Sequence, residues 1–203
     1  MVQKLNRIQV EAKLKSMSLP LFTPREFKDI FGVSENTASV FIKRNLGSGL
    51  FLKLKNGFYA IKDSSPSPYS VANKLYQPSY VSLEKALSHY GVIPETVYAV
   101  TSVTTKATRE FETPSGTFSY QKIKRTAFTG YGPVNMDGET VLMAQPEKAL
   151  VDYLYFSDLN GSEPNERMHL ENLDKKKVVD FAALFERNSL IDAIKNYDFK
   201  KRI

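Results

Sequence analysis

Cysteine is absent from all 203 residues. That absence removes disulfides, thiolate metal sites and cysteine nucleophiles together, and it fits a cytoplasmic setting. Histidine occurs twice, as His89 and His169, and neither has a second ligand at metal spacing. There is no glycine-rich phosphate loop and no G-x-S-x-G elbow. No apolar run approaches the roughly 20 residues a membrane span needs. The opening MVQKLNRIQVEAKLK is charged and amphipathic and lacks the apolar centre of a signal peptide. These absences predict no cofactor, no metal and no membrane partner.

What is present is basic charge, unevenly placed. Hydrophobic content of 42% and charged content of 25% are ordinary for a globular chain. The net charge is +6, and residues 1–63 hold all of it, with 11 Lys+Arg against 5 Asp+Glu. Residues 64–203 hold 17 of each sign. A basic segment joined to a neutral one suits nucleic-acid binding by the first and a different task for the second.

Within the basic segment, Thr23 to Ile61 reads as helix, tight turn, helix and hairpin. Thr23 is placed to cap the first helix, with Pro24 at its first position and Glu26 completing a capping box. Phe27, Ile30 and Phe31 form an apolar stripe, Gly32 ends the helix and Val33 fills the turn. Ser34 caps a second helix, with Thr37 three residues on. Ala38, Phe41 and Ile42 would face inward, leaving Glu35, Asn36, Ser39, Lys43 and Arg44 on the other side. Leu50–Lys55, Asn56-Gly57 and Phe58–Ile61 form a hairpin in which both turn residues are expected at positive φ. Lys53 and Lys55, two apart, are expected on one strand face. This is the order of a winged helix-turn-helix. The predicted DNA-binding residues are Ser34, Asn36, Thr37, Ser39, Lys43, Arg44, Lys53 and Lys55. Asn36 and Ser39 are the candidates for base edges, and the cations for phosphates. The alternative for this segment is a protein-interaction module.

Gln3–Met17 is expected to form a first helix, with Leu5, Ile8, Ala12 and Leu14 or Lys15 turned towards the helix pair. Leu19–Phe22 connects it to the second. Residues 62–68 read as a Pro/Ser linker separating a first domain, 1–63, from a second, 69–203. The second domain reads as α+β, an antiparallel sheet flanked by helices. Its expected helices are Ser70–Tyr76, Ser82–Tyr90, one from Pro146 to Tyr155, and two near 174–187 and 189–199. Its expected strands are Val97–Thr104, Glu139–Ala144 and a hairpin of Arg109–Thr113 with Thr117–Ile123. Residues 158–172 are expected to be a loop.

The acidic pairs Asp137/Glu139 and Glu110/Glu112 could hold a divalent cation. Ion pairing of Glu110 and Glu112 with Lys122 and Lys124 is the simpler expectation. Glu84-Lys85 and Glu147-Lys148 lack the spacing of a nuclease triplet. No catalytic residue is assigned. Tyrosines 76, 80, 90, 98, 120, 131, 153 and 155 are expected mostly as half-buried core.

Two stretches carry a resemblance. Tyr80–Glu95, YVSLEKALSHYGVIPE, resembles the Y-[IV]-S-x-E-x-A-L-x-x-[YH]-G-[LVI]-I-P-E segment of AbiEi-type antitoxins. Ala144–Asp152, AQPEKALVD, resembles their A-x-P-E-K-A-L-x-D segment. An N-terminal winged helix followed by this domain is the family layout. The resemblance implies a transcriptional repressor that binds inverted repeats of double-stranded DNA in its own promoter. It also implies the antitoxin of a type IV toxin–antitoxin (abortive infection) system, acting against a nucleotidyltransferase toxin. Neutralisation in such systems need not involve a stable complex. The two motifs read as structural and transfer no catalytic role to Glu84, Glu95, Glu147 or Asp152. The alternatives are a regulator whose second domain senses a small ligand, or an enzyme.

Overall fold

The fold was analysed in a computed structural model, which describes residues 5–17, 19, 21–64, 66–136, 138–197 and 199. Gln3 and Asp137, named above, and Pro20 and Ser65, within the two connecting stretches, lie outside the described residues. The chain forms two compact units. One holds Met1–Ser67 and the turn Thr113–Ser115, the other Pro68–Glu112 and Gly116–Ile203. Pro68, read in the sequence as the last linker residue, opens a helix instead.

The first unit runs α1 (Arg7–Ser16), β1 (Leu21–Phe22), α2 (Pro24–Phe31), α3 (Glu35–Gly47), β2 (Phe51–Lys55) and β3 (Phe58–Ile61). Local signals fix most of these ends. Thr23 and Glu26 form the reciprocal capping box, and Gly32 leaves α2 in the left-handed conformation at φ +60°. The three strands pair antiparallel in the order β1-β3-β2. Phe22, Phe27, Ala38, Ile42, Phe51 and Ile61 are buried together, with Phe41 packed against them. Each fully buried phenylalanine contributes about 1.5–3 kcal/mol over an exposed one.

Two expectations for this unit are corrected. The buried face of α1 is Val10 and Leu14, one turn apart. Leu14 and Leu5 reach the core as expected, but Ile8 is exposed, and so are Ala12 and Lys15, because the buried seam centres on Val10 and Leu14, nearly half a turn from Ile8 and Ala12. The Asn56-Gly57 turn puts only Gly57 at positive φ. The pairing register also shifts between Lys53 and Lys55. A bulge absorbs the misfit that a two-residue mirror-image turn would have avoided.

The second unit comprises α4 (Pro68–Leu75), β4 (Ser79–Val81), α5 (Leu83–His89), β5 (Val100–Thr104), β6 (Arg109–Thr113), β7 (Gly116–Lys122), β8 (Tyr131–Met136), β9 (Glu139–Ala144), α6 (Pro146–Asn160), α7 (Lys175–Ala183) and α8 (Asn188–Asn196). The sheet order is β6-β7-β5-β4-β9-β8. It is mixed, which corrects the antiparallel expectation. β5 pairs parallel with β7, and β4 parallel with β9, while β4–β5 and β8–β9 are antiparallel. Two strands carried weak signals. β4 has three residues, and β8 contains Gly132-Pro133, which an edge strand tolerates because proline cannot donate to a ladder. Ser70 lies inside α4 rather than capping it, and α6 runs on to Asn160. The expected loop begins only there, and Met168 and Leu170 anchor it in the interior.

Candidate functional site

The helix α3 divides cleanly into two faces. Ala38 and Ile42 are fully buried, with Asn45 turned inward beside them. Glu35, Asn36, Ser39, Val40, Lys43 and Arg44 are exposed. Successive residues turn about 100°, so Asn36, Val40 and Lys43 line up along the centre of the outer face, with Ser39 and Arg44 flanking them.

The eight sequence-predicted residues fare differently. Ser34 spends its hydroxyl on the helix end: its Oγ accepts from the Thr37 backbone N–H at 3.1 Å and lies 2.8 Å from the Thr37 hydroxyl. Ser34 and Thr37 therefore build the cap and orient the helix start. Asn36, Ser39, Lys43 and Arg44 are brought together on the outer face. Lys43, Arg44 and Lys53 form no ion pair among the described residues, so their charge remains available to an external anion. Lys53 is exposed on β2. Lys55 is half-buried, with its ammonium 4.5 Å from the centre of the Phe58 ring. The bulge between the two lysines breaks the strict alternation from which their shared face was inferred.

The second unit holds a different cluster. Lys148 and Asp152, one turn apart on α6, are both completely buried and form an ion pair. Asp152 also accepts from the Tyr80 hydroxyl at 3.1 Å and from Ser82 Oγ at 2.7 Å. The Lys148 ammonium lies 4.9 Å from the Phe185 ring centre and 5.7 Å from that of Tyr80. Burial pushes the Lys148 pKa down and the Asp152 pKa up, and each partner opposes the other's shift. Burial and the neighbouring Asp152 raise the Tyr80 hydroxyl well above its ordinary value. The two stretches singled out in the sequence thus meet here, YVS supplying Tyr80 and Ser82, and EKALVD supplying Lys148 and Asp152. The sequence flagged both stretches, but only the fold brings them together.

Beside this core the sheet is left partly uncovered. A groove of about 360 Å³ lies between β5–β7 and α6, lined by Glu84, Glu110, Gln121, Tyr153 and Phe156 among others. Glu110 faces this groove, and Lys124 pairs with Glu186 at 2.9 Å rather than with Glu110 or Glu112. His89 is exposed at the end of α5, and His169 lies 4.0 Å from Glu171. Among the described residues no three His, Asp or Glu side chains converge to hold a metal ion. Nor, among them, is any helix long and apolar enough to cross a membrane.

No family profile and no curated protein matches this chain.

Proposed function

We propose that the chain is a DNA-binding transcriptional repressor and the antitoxin of a type IV toxin–antitoxin system. The first unit is read as a winged helix-turn-helix: α2 and α3 are the helix pair, α3 the recognition helix, and β2–β3 the wing. The observation that carries this reading is the outer face of α3. It presents Asn36 and Ser39 near the positive end of the helix dipole, and Lys43 and Arg44 further along, both without an ion-pair partner among the described residues. Asn36 is a bidentate donor–acceptor suited to an adenine edge, and the two cations suit phosphates. The same segment holds the entire +6 charge excess of the chain. The reading assigns no catalytic residue.

The antitoxin half rests on the resemblance of Tyr80–Glu95 and Ala144–Asp152 to AbiEi-type antitoxins. The contacts among Tyr80, Ser82, Lys148 and Asp152 give both segments a shared interior role, which supports treating them as one structural signature. The proposed functional partner is a nucleotidyltransferase toxin. The decisive experiment is a gel shift with the DNA upstream of the chain's own gene, at two salt concentrations and with competitor DNA present. Salt-sensitive, sequence-selective retardation is expected. No binding at low salt would overturn the repressor reading. Co-expression with the neighbouring gene's product then tests the antitoxin half, with rescue of growth expected.

A second reading has its own observation. The groove beside α6 combines the carboxylates of Glu84 and Glu110 with the rings of Tyr153 and Phe156, and it would suit a small effector sensed by the second unit. A change in the gel-shift midpoint on adding a bound effector would favour it.

A further inference from the structure

Val40 is the one apolar side chain among the exposed residues on the outer face of α3. It is 49% exposed, while Ala38 and Ile42, two residues to either side, are 0% and 2% exposed. Two residues of helix turn it about 160° from each of them, so it stands directly opposite the buried seam. A β-branched residue on a solvated helix face is a poorer helix former than alanine, lysine or glutamate, and Val40 is far less buried than the inner-face residues that would offset this. Its neighbours on that face are Asn36, Ser39, Lys43 and Arg44, all polar. An apolar side chain at the centre of a polar, cationic face is placed to meet an apolar group on whatever that face binds.

In the major groove one base edge offers such a partner, the C5-methyl group of thymine. We infer that Val40 is a specificity-determining residue that packs on a thymine methyl group. This rests on the reading of α3 as the recognition helix and adds to it the base that the helix centre selects. Asn36 lies one turn earlier, about 6 Å along the axis, a separation of roughly two base-pair steps. Thymine at one position and adenine about two steps away is the pattern this face would read.

The test uses the full chain and the upstream fragment, prepared with thymine or with deoxyuridine in its place. Deoxyuridine keeps the pairing and removes only the methyl groups. The wild-type chain is expected to lose roughly fourfold in affinity per half-site on the uracil fragment, the loss that one methyl-sized apolar contact predicts. Val40→Ala truncates a half-exposed side chain and replaces a poorer helix former by a better one, so it should fold. It is expected to bind the two fragments equally, at about the wild-type affinity for the uracil DNA. Equal wild-type binding to both fragments would overturn the inference and leave the repressor reading intact. A thymine preference that survives in Val40→Ala would assign the discrimination to another residue or to DNA shape, and would also overturn it. Failure of the thymine fragment itself to bind would overturn the repressor reading and the inference together.

Discussion

The two units place charge in opposite ways. The first turns Lys43, Arg44 and Lys53 outward around an interior built from phenylalanines. The second takes Lys148 and Asp152 completely inside as an ion pair, with Tyr80 and Ser82 donating to Asp152. An exposed cation without a partner costs little and can wait for a ligand. A buried one is tolerated only because its partners are specified one by one. The residues that make the second unit recognisable are therefore bound up in holding it together. Those proposed to act in the first belong to a surface that its core does not need.

The sharpest way to break this contrast is at Asp152. Asp152→Ala leaves the Lys148 ammonium buried without its counter-charge, and should cost about 3–5 kcal/mol of unfolding free energy in urea. Replacing both Lys148 and Asp152 by apolar residues of similar volume should recover most of that loss. If the single change were neutral, the pair would not be structural and the contrast would fail.

Gly130 gives the next largest effect. It sits at φ +74°, and a Cβ there would lie 2.6 Å from Phe181 Cε1 and 3.0 Å from Lys148 Cγ. Gly130→Ala should destabilise by about 1–3 kcal/mol from crowding alone, again by urea denaturation. The outer face of α3 should behave in the reverse manner. Asn36→Ala should leave stability within about 0.5 kcal/mol and weaken binding to the upstream fragment by about 1–3 kcal/mol. Lys43→Ala should lower the slope of log affinity against log salt by about one, whatever the DNA sequence.

The smallest effect lies at a half-exposed pair. Asp158 accepts from Arg187 Nε and, at 2.8 Å, from Ser189 Oγ, and the Arg187 contact holds its pKa below the ordinary aspartate range. A depressed carboxylate pKa stabilises above the unfolded value and loses that contribution as pH falls through the folded one. Asp158→Asn should therefore cost about 0.2–1 kcal/mol at neutral pH and nothing at strongly acid pH. Urea midpoints measured at both pH values check it.

How much of this was legible beforehand differs between the units. The first unit signals itself locally. Thr23, Pro24, Glu26, Gly32 and Ser34 act within four residues of where they stand, so both helix starts and the α2 exit were readable. What escaped there depended on phase or on partners: which side of α1 is buried, the bulge after Lys53, and Val40. A single apolar residue on a polar face stands out only once the inner face is known. In the second unit local signals located α5, α6, β9 and the β6–β7 pair. They could not reveal the parallel pairings, because those depend on crossovers: β7 passes β6 to lie beside β5, and β9 returns from far along the chain to lie beside β4. The short β4 and the proline-containing β8 lacked periodicity altogether. The groove and the Tyr80–Ser82–Lys148–Asp152 cluster are likewise products of that topology.

One hydroxyl carries a further consequence. Ser82 holds the position before α5 yet makes no side-chain cap, its hydroxyl donating a hydrogen bond to Asp152 on α6 instead. The Lys85 amide is satisfied instead by Thr101 Oγ1 of β5 at 3.1 Å, and the same Thr101 hydroxyl donates to the Ser82 carbonyl at 2.8 Å. The start of α5 is thus secured by a neighbouring strand and a distant helix, and not by its own sequence. A seven-residue helix held in this way has no independent fraying step. Its amides should exchange with deuterium at the pace of β5 and α6, opening when that whole block opens and not before.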